Sequence, residues 1–411
     1  MRDFTAEAAA LDAADPLAAY AGRFVDPGPD SLIAYFDGNS LGRPLVETAE
    51  RLRDFTTNEW GARLIRGWDE RWLDLPLSLG DQLGRVALGA GPGQTFVGDS
   101  TTVLLYKLSR AAVDAQQRAG RDEIVLDTDN FPTDRYLLEG IAAERGLTLR
   151  WIETDPAQGV TPEQVRAAVG ERTALAVFSH VAYRSAWLAD APAITEAVHD
   201  AGGLVLWDLC HSGGSVPVEL DAWGIDLAVG CSYKYLNGGP GAPAYAYVAE
   251  RHHGGLRQPV WGWMGRRDPF TMGPGYVAAE GIRGWLSGTP PILGMVPLES
   301  YAALLEDVGI GAVRAKSLAL TDFALEIVDA WLVPTGATVT SPRDHARRGG
   351  HLTITRPGFR DVTARLWEQG VIPDYRDPDG IRIGLSPLST TFAEVVRGLT
   401  ALAEVIGSSG K

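Results

Sequence analysis

The residues Cys231-Ser-Tyr-Lys-Tyr-Leu-Asn237, followed by Gly-Gly-Pro-Gly-Ala-Pro, decide how this chain is interpreted. They come directly after Asp226–Gly230, an apolar run typical of a short buried strand, and they place Lys234 just beyond its end. Upstream, a second apolar run, Leu204–Trp207, leads to Asp208. Because ligands of parallel sheets lie beyond the carboxyl ends of the strands, we expect both side chains in one site.

A lysine and an aspartate at neighbouring strand ends meet the requirements of pyridoxal 5′-phosphate (PLP). The amine of Lys234 can form a Schiff base with the cofactor aldehyde. The carboxylate of Asp208 can hold the pyridine nitrogen protonated, so that the ring accepts electrons from substrate bonds. The sequence therefore predicts a PLP enzyme built around these two residues.

The composition is typical of a globular protein with more than one core. The chain has 411 residues, of which 45% are hydrophobic and 22% charged, which favours two domains or one large domain with a smaller one. A formal charge of −15 argues against nucleic-acid and anionic-membrane partners. No apolar run is long enough to span a membrane, and the first seven residues include acids where a secretory signal would be apolar.

The two cysteines, Cys210 and Cys231, each stand at the end of a predicted buried strand. That placement favours reduced core thiols over a disulfide, and it indicates a cytoplasmic protein.

Between about residues 95 and 250, strand-like and helix-like patterns alternate. The predicted strands are Gln94–Gly98, Glu123–Asp127, Leu147–Thr154, Ala174–His180, Leu204–Cys210, Leu227–Cys231 and Ala244–Ala249. The predicted helices are Thr102–Arg118, Thr133–Arg145, Pro162–Val169 and Ala191–Ala201. Short Val/Leu/Ile-rich strands between amphipathic helices predict an α/β fold, with a mainly parallel sheet covered by helices on both faces.

The pattern changes after Pro290-Pro291. Two long helices, two strands and a final helix are predicted, at Leu293–Asp307, Val313–Leu332, His351–Thr355, Gly380–Leu385 and Phe392–Ile406. They indicate a small α+β domain. We therefore divide the chain into an N-terminal segment (1–44), a large cofactor-binding domain (45–290) and a small domain (291–411). The N-terminal segment is expected to pack with the small domain or over the site.

Five further positions are candidates for the site, each with a structural alternative. Thr101 and Thr102 begin a helix, which can bind a phosphate or form an ordinary N-cap. In Asn130-Phe-Pro-Thr-Asp134, the Phe131 ring can stack on a cofactor and Asp134 can orient a phenol oxygen, or the segment is a proline-led helix start. His211 follows Asp208 closely enough to contact the same ligand, although a lone histidine is more often structural.

Two other side chains have functional and structural interpretations. Tyr233, beside the lysine, can bind phosphate or act as a general acid, or it is a strand aromatic. Arg382 lies in an apolar strand, where a buried guanidinium needs an anion beside it. That anion is either the α-carboxylate of a substrate or an acidic side chain in a structural salt bridge. No Gly-x-Gly-x-x-Gly opens a helix, no Gly-x-Ser-x-Gly occurs, and no cluster has metal-ligand spacing. We expect no metal.

Together these residues resemble the kynureninase family, PLP enzymes of fold type I in the class V aminotransferase branch. The resemblance runs almost end to end and is carried by Phe36–Gly42, Asn130–Asp134, Trp207–Ser212, Cys231–Gly239, Gly262-Trp263 and Gly288–Pro291. The phrase around Lys234 is quite specific to that family.

The resemblance implies a role for each matching position. Catalysis would involve Lys234, Tyr233, Asp208 and Asp134. The cofactor would be bound by Thr101, Thr102, Phe131, Asp134, Ser179, Asp208, His211, Tyr233 and Lys234. Trp263 and Thr289 would reach the cofactor phosphate of a neighbouring subunit, giving a homodimer with shared sites. The substrate would meet Arg382, Asn39 and Trp68.

The implied reaction is hydrolysis of the Cβ–Cγ bond of L-kynurenine, or of a substituted kynurenine, to anthranilate and L-alanine. The alternatives are another γ-keto amino acid as the substrate, C–S lysis on the same scaffold, or a non-catalytic relative. Three positions depart from the family pattern, Met264, Arg266 and Ser389, and they are expected to alter the substrate pocket. Sulfur transfer needs a cysteine on a mobile loop, and both cysteines are predicted to lie in the core.

Overall fold

The computed structural model of the chain describes residues 2–28 and 31–408. Within this part the strands are β1 (Ala34–Phe36), β2 (Thr95–Gly98), β3 (Glu123–Asp127), β4 (Thr148–Ile152), β5 (Thr173–Ser179), β6 (Leu204–Asp208), β7 (Leu227–Gly230), β8 (Ala244–Val248), β9 (Thr338–Val339), β10 (His351–Thr355), β11 (Val371–Arg376) and β12 (Gly380–Gly384). The α-helices are α1 (Phe4–Ala14), α2 (Val46–Asp54), α3 (Leu75–Leu83), α4 (Thr101–Arg118), α5 (Pro132–Arg145), α6 (Pro162–Ala168), α7 (Ala191–Asp200), α8 (Ile292–Val308), α9 (Ile310–Ile327), α10 (Phe359–Glu368) and α11 (Phe392–Ser408).

The larger sheet has seven strands in the order β2-β8-β7-β6-β5-β3-β4. Strand β8 runs antiparallel to both of its neighbours, and the pairings from β7 to β4 are all parallel. Alternate residues of β5 contribute to two apolar cores, one on each face: Leu175 and Val177 on one side, Ala176 and Phe178 on the other. The predicted α/β fold with a mainly parallel sheet is confirmed.

Local sequence explains where several helices of this domain begin and end. A capping box starts α6, since Thr161 accepts from the backbone of Gln164 while the Gln164 side chain accepts from the Thr161 backbone. Helix α5 opens with Pro132, whose ring suits the first turn. It ends at Gly146, whose φ of +67° a residue without a side chain adopts most easily.

The smaller sheet has five strands in the order β1-β11-β12-β10-β9. Its edge strand β1 comes from the N-terminal segment and pairs in parallel with β11, while the other pairings are antiparallel. The Asp12 carboxylate accepts from the backbone N–H groups of Phe392 and Ala393, at the start of α11. Residues of the N-terminal segment thus contact both the smaller sheet and helix α11.

Each predicted strand and helix is present, and the ends of the strands differ from the predicted ends by a few residues at most. The helix predicted at Val313–Leu332 begins at Ile310, and its last turn, Val328–Leu332, is π-helical. Seven elements were not predicted: α1, β1, α2, α3, β9, α10 and β11. The boundaries at residues 44 and 290 stay predictions, and residues 1, 29, 30 and 409–411 of those segments lie outside the described residues. No described helix is long and apolar enough to cross a membrane.

Candidate active site

The ends of three neighbouring strands define the site. Strand β6 ends at Asp208 and β7 at Gly230, and Lys234 lies on the turn that follows β7. Ser179, the last residue of β5, is paired in register with Asp208. Because these strands are parallel, their carboxyl ends bring the polar side chains to one edge of the sheet.

A cavity of about 140 Å³ lies at this edge. It is lined by Thr101, Thr102, Phe131, Thr133, Asp134, Asp208, Cys210, His211, Tyr233 and Lys234. All but two of these residues were predicted from the sequence as site residues, the exceptions being Thr133 and Cys210. The structure therefore brings together most of the predicted cofactor-binding set.

The Lys234 amine faces a neutral histidine and an aromatic ring. Its Nζ atom lies 3.4 Å from His211 Nε2 and 5.9 Å from the centroid of the Phe131 ring. Burial, and then the charge of Lys234, hold the pKa of His211 well below its usual value. His211 is therefore uncharged at neutral pH. It does not repel the lysine, and its Nε2 can accept a hydrogen bond from Lys234 Nζ.

Two carboxyl groups stand at the inner end of the cavity. Asp208 is buried, and its Oδ1 accepts from the Cys210 backbone N–H at 2.7 Å, which fixes the carboxylate plane. Asp134 Oδ2 is buried without a hydrogen-bond partner among the described residues. Burial, with the charges of Asp208 and Asp127 nearby, raises the pKa of Asp134 well above its usual value. Asp134 thus holds its proton to higher pH than an exposed aspartate and can donate.

The outer end of the cavity suits an anion. Thr101 and Thr102 are the first residues of α4, an 18-residue helix, so their backbone N–H groups and hydroxyls meet the positive end of its dipole. Burial raises the pKa of the Tyr233 phenol, which therefore stays protonated at neutral pH and can donate a hydrogen bond there.

This donor set fits PLP. A buried carboxylate is available for the pyridine nitrogen, an amine for the aldehyde, and a helix start with two hydroxyls for the phosphate. The Phe131 ring borders the same space and is available for stacking on the pyridine ring. These assignments of individual residues stay predictions.

Arg382 lies in a second polar cluster, on β12, and is almost fully buried. Its Nε donates to Asp374 Oδ2 at 2.6 Å, its Nη1 to the Tyr183 carbonyl at 2.7 Å and its Nη2 to Ser40 Oγ at 2.9 Å. Asp374 also binds Arg376 at 3.0 Å. Of the two sequence interpretations of this arginine, the ion pair is therefore present in the structure, and the substrate carboxylate stays a prediction.

Asn39 belongs to the same cluster. Its side chain is fully buried, and neither its amide nitrogen nor its amide oxygen has a hydrogen-bond partner among the described residues. It packs on Gly384, where an added Cβ atom would stand only 2.5 Å from Asn39 Cγ. A side chain at position 384 would therefore displace Asn39 from its place beside Arg382.

Six predicted residues do not line the cavity: Ser179, at the end of β5, Arg382 and Asn39, in the second polar cluster, and Trp68, Trp263 and Thr289, which lie apart from both. Trp68 packs edge-on against Trp72 at the side of the large core, with ring centroids 5.5 Å apart. Trp263 contacts Phe270, and Thr289 is exposed. A residue that contacts a neighbouring subunit must be accessible at the surface, as Thr289 is. The role of Trp263 and Thr289 in the neighbouring site stays a prediction.

The three departures from the family pattern also lie outside the cavity. Met264 is buried in the core that covers one face of the large sheet. Arg266 donates to the Asp268 carbonyl at 2.6 Å. Ser389 lines a separate cavity of about 280 Å³ together with Arg43 and several other residues. None of the three is among the residues that line the cavity around Lys234, and their effect on the substrate pocket stays a prediction.

Asn130 was missed as a site residue. Its Oδ1 accepts from the Phe131 backbone N–H and from Ser179 Oγ, each at 2.8 Å, and its Nδ2 donates to the Val177 carbonyl. It therefore ties the aromatic side of the cavity to the end of β5. The signal in the sequence was an asparagine at the end of a strand, before Phe-Pro, where its side chain can bond nearby backbone.

Comparison of the sequence with known proteins gives one family. The family model described as "Kynureninase C-terminal domain" matches residues 313–402. The kynureninase of Pseudomonas fluorescens is 39% identical over 402 residues, which cover 97% of this chain and 94% of that protein. The kynureninase of Burkholderia pseudomallei (strain 1106a) is 40% identical over 405 residues, covering 97% and 95%.

Solved structures share the fold at low sequence identity. The cysteine desulfurase CsdA from Escherichia coli superposes with a TM-score of 0.80 at 15% identity, covering 95% of this chain and 98% of that one. A cystine C–S lyase in complex with cysteine persulfide gives a TM-score of 0.78 at 19% identity, covering 92% and 99%. At this level of identity the likeness concerns the fold alone.

Proposed function

The chain belongs to the kynureninase family, and from this we infer that it is a PLP-dependent hydrolase. It cleaves the Cβ–Cγ bond of L-kynurenine, or of a substituted kynurenine, to give anthranilate and L-alanine. One observation carries this assignment: about 40% identity to kynureninases over 97% of the chain, in a protein whose Lys234 and Asp208 line one cavity.

PLP, when bound, supplies a protonated ring that accepts the electron pair released as a substrate bond breaks. The chain contributes the groups that hold the cofactor and move protons. Asp208 keeps the pyridine nitrogen protonated, and the Thr101–Thr102 helix start binds the phosphate. Lys234 Nζ holds the aldehyde and, as a free amine, takes and returns the proton at the substrate Cα.

The phenol of Tyr233 has the protonation state that the hydrolytic step requires. Water must add to the substrate γ-carbonyl before the carbon–carbon bond breaks, and the carbonyl oxygen needs a proton as this happens. Because its pKa is raised by burial, Tyr233 holds its proton at neutral pH and can donate it there. The protein thus selects the bond that breaks by orienting the substrate between this donor and the lysine.

The positions of the cysteines oppose sulfur transfer, the principal rival reaction. Desulfurases share the fold, as the comparisons report. That chemistry needs a thiol on a mobile loop that reaches both substrate and acceptor. Cys231 is buried, as predicted, whereas Cys210 is partly exposed and lines the cavity instead of lying in the core. Its backbone N–H donates to Asp208 two residues earlier, so the thiol is held beside the end of β6 and not on a mobile loop. The two free thiols also support the cytoplasm as the location of the enzyme.

We propose in addition a homodimer in which each site is completed by the neighbouring subunit. The segment that contains Trp263 carries large exposed apolar side chains, among them Trp261 (64% exposed), Phe270 (58%) and Met272 (72%). Such side chains in one short segment are typical of a contact surface. The outer end of the cofactor cavity is open as well, since Thr102 and Val103 are exposed.

The assay for this function measures alanine and anthranilate released from L-kynurenine by the purified holoenzyme. We expect equal amounts of both products, and a panel with 3-hydroxykynurenine and other γ-keto amino acids identifies the preferred substrate. The Lys234→Ala variant should lose turnover and keep its melting temperature. Lys234→Arg, which keeps the cation without the nucleophile, should be equally inactive. Turnover retained by either variant contradicts the assignment.

A further inference from the structure

His351 begins β10 of the smaller sheet and shares a face of that sheet with Arg382. On the antiparallel pair β10–β12, Thr353 stands opposite Arg382 and His351 opposite Gly384. Directly opposed residues project to the same face, and so do residues two apart along a strand. His351 is therefore the diagonal neighbour of Arg382, at a spacing that long side chains bridge.

The imidazole of His351 is buried beside the backbone of Tyr183, with which it has at most a weak polar contact. The residue has no exposed surface, and neither ring nitrogen makes a hydrogen bond to any described residue. Burial, followed by the charges of Arg382 and Lys234, holds the pKa of His351 well below its usual value. The ring is therefore neutral near pH 7, with one N–H to donate and one nitrogen to accept.

The ring is also close to both the reacting amine and the arginine, since the charges of both lower its pKa. Its centroid is 5.6 Å from that of His211, whose Nε2 is 3.4 Å from Lys234 Nζ. On the other side, Arg382 Nη1 donates to the Tyr183 carbonyl. A substrate whose Cα lies at the lysine amine, and whose carboxylate turns toward Arg382, therefore brings that carboxylate near His351.

Asn39 shows the same lack of partners at the same place. It rests on Gly384, the residue directly opposite His351, and both of its amide atoms are buried without hydrogen bonds among the described residues. Buried polar groups in folded proteins are almost always hydrogen-bonded, so two exceptions side by side indicate a missing ligand. The adjacent guanidinium indicates that this ligand carries a negative charge.

We propose that His351 is a substrate-binding residue whose ring N–H donates to the α-carboxylate of the amino-acid substrate, beside Arg382 and Asn39. The proposal rests on the proposed function, because it takes the ligand to be the amino acid that reacts at Lys234. Arg382 supplies the charge for this carboxylate, and His351 adds a directed hydrogen bond without adding a second cation.

Two amino acids distinguish this contact from a contact with the substrate side chain. L-Alanine has the α-carboxylate but no γ-carbonyl or aryl group, and L-kynurenine has all three. Binding of each to the holoenzyme is measured by the change in cofactor absorbance. We expect His351→Leu to weaken both ligands by the same ~10- to 100-fold, the usual effect of losing a hydrogen bond to a charged group. His351→Gln, which keeps an N–H donor, should stay within a few-fold of wild type.

Two results overturn the proposal. In the first, His351→Leu binds alanine as tightly as wild type does. In the second, His351→Leu loses affinity for kynurenine alone, which means that His351 contacts the side chain of the substrate. If His351→Leu does not fold, the alanine affinity of His351→Glu is compared with that of His351→Gln instead. The two side chains have the same shape, but the glutamate repels a carboxylate, so equal alanine affinities also overturn the proposal. His253→Leu, a change at a histidine in a surface loop, is the control and should bind both ligands as wild type does.

These measurements separate the proposal from the assignment of the reaction. If the wild-type holoenzyme binds alanine but does not cleave kynurenine, the proposed reaction is wrong while the alanine comparison still tests His351. Cofactor content should be equal in all variants, because His351 does not line the cavity at the end of β6.

Discussion

Asp374 and Arg382 stand directly opposite each other on antiparallel strands, and the guanidinium Nε donates to the carboxylate at 2.6 Å. Ser40 and the Tyr183 carbonyl hold the two terminal nitrogens. The plane of the guanidinium is therefore set before a substrate arrives. Such preorganisation lowers the entropy lost when a ligand binds.

We expect Arg382→Lys to raise the KM for kynurenine by ~10- to 100-fold with a smaller change in kcat. Lysine keeps the charge but cannot reproduce the planar fork, so the carboxylate loses a directed pair of hydrogen bonds. Steady-state kinetics with the holoenzyme measures both constants. Arg360→Lys is the matched control, because Arg360 lies on the surface of the same domain in a pair with Asp377. An unchanged KM in Arg382→Lys means that the carboxylate binds elsewhere.

A shared active site predicts that two inactive variants restore each other. In a mixed dimer of Lys234→Ala and Trp263→Ala subunits, one of the two sites has an intact lysine and an intact tryptophan. Random pairing of equal amounts should recover roughly a quarter of wild-type activity. Co-expression with two different affinity tags isolates the mixed dimer, which should have roughly half of wild-type activity.

The control for complementation pairs Lys234→Ala with Asp208→Ala. Both residues line the same cavity of one chain, so no mixed dimer has an intact site and no activity should return. If the Trp263 pair likewise stays inactive, or if light scattering gives a monomer, the shared-site proposal is wrong.

Asp127, the last residue of β3, should make the stability of the protein fall as the pH rises from about 4 to about 7. Burial, with Asp129 nearby, raises the pKa of Asp127 to about 7. In the unfolded chain an aspartate has a pKa of about 4. The folded state therefore binds the proton more tightly, and the resulting stability is complete below pH 4 and is lost as the pH passes 7.

Asp127→Asn removes this proton, so the free energy of unfolding of the wild type, relative to the variant, should fall by on the order of 3 kcal/mol between pH 4 and pH 8. Urea unfolding followed by tryptophan fluorescence measures the difference at each pH. Asp122→Asn is the control: Asp122 is partly exposed, and its hydrogen bond with Arg172 lowers its pKa, so its contribution is nearly constant above about pH 5. Parallel curves for wild type and Asp127→Asn would refute the assignment.

The large sheet and the centre of the site were predictable because local sequence determines them. Runs of buried apolar residues give the strands, and the residue that ends each run, such as Asp208, is placed by the run itself. Lys234 and His211 follow strand ends closely, so their positions depend on few intervening residues.

The elements that were missed depend on distant partners. Strand β1 has three residues and β9 two, too few to show a period. Strand β1 exists because β11, far away in sequence, accepts it, and β9 exists because the next strand, β10, does. Helices α2 and α3 are joined through π-helical turns, Phe55–Gly61 and Trp68–Trp72, which interrupt the helical period. The irregular stretch hides the amphipathic pattern on which a helix prediction depends.

In the polar cluster around Arg382, the arginine was predicted from the sequence, but Asp374 and His351 were not. The pairing of Asp374 with Arg382 follows from strand register, which a single sequence does not display. His351 shows no signal beyond a histidine at the start of a strand, where a buried structural role is the ordinary expectation. Its position beside Arg382 follows from the register of β10 with β12 within the smaller sheet, which a single sequence does not display.

The pairing of β1 with β11 has a consequence for synthesis of the protein. Phe36 pairs with Pro373, and the loop after β1 carries Asn39 and Ser40 to Arg382. A ribosome adding ~5–20 residues per second needs roughly 15–70 s to pass from the first of these strands to the second. Throughout that interval the nascent chain can bury the large sheet but has no partner for β1. The cluster around Arg382, the proposed site for the substrate carboxylate, is therefore completed only after the C-terminal region has left the exit tunnel.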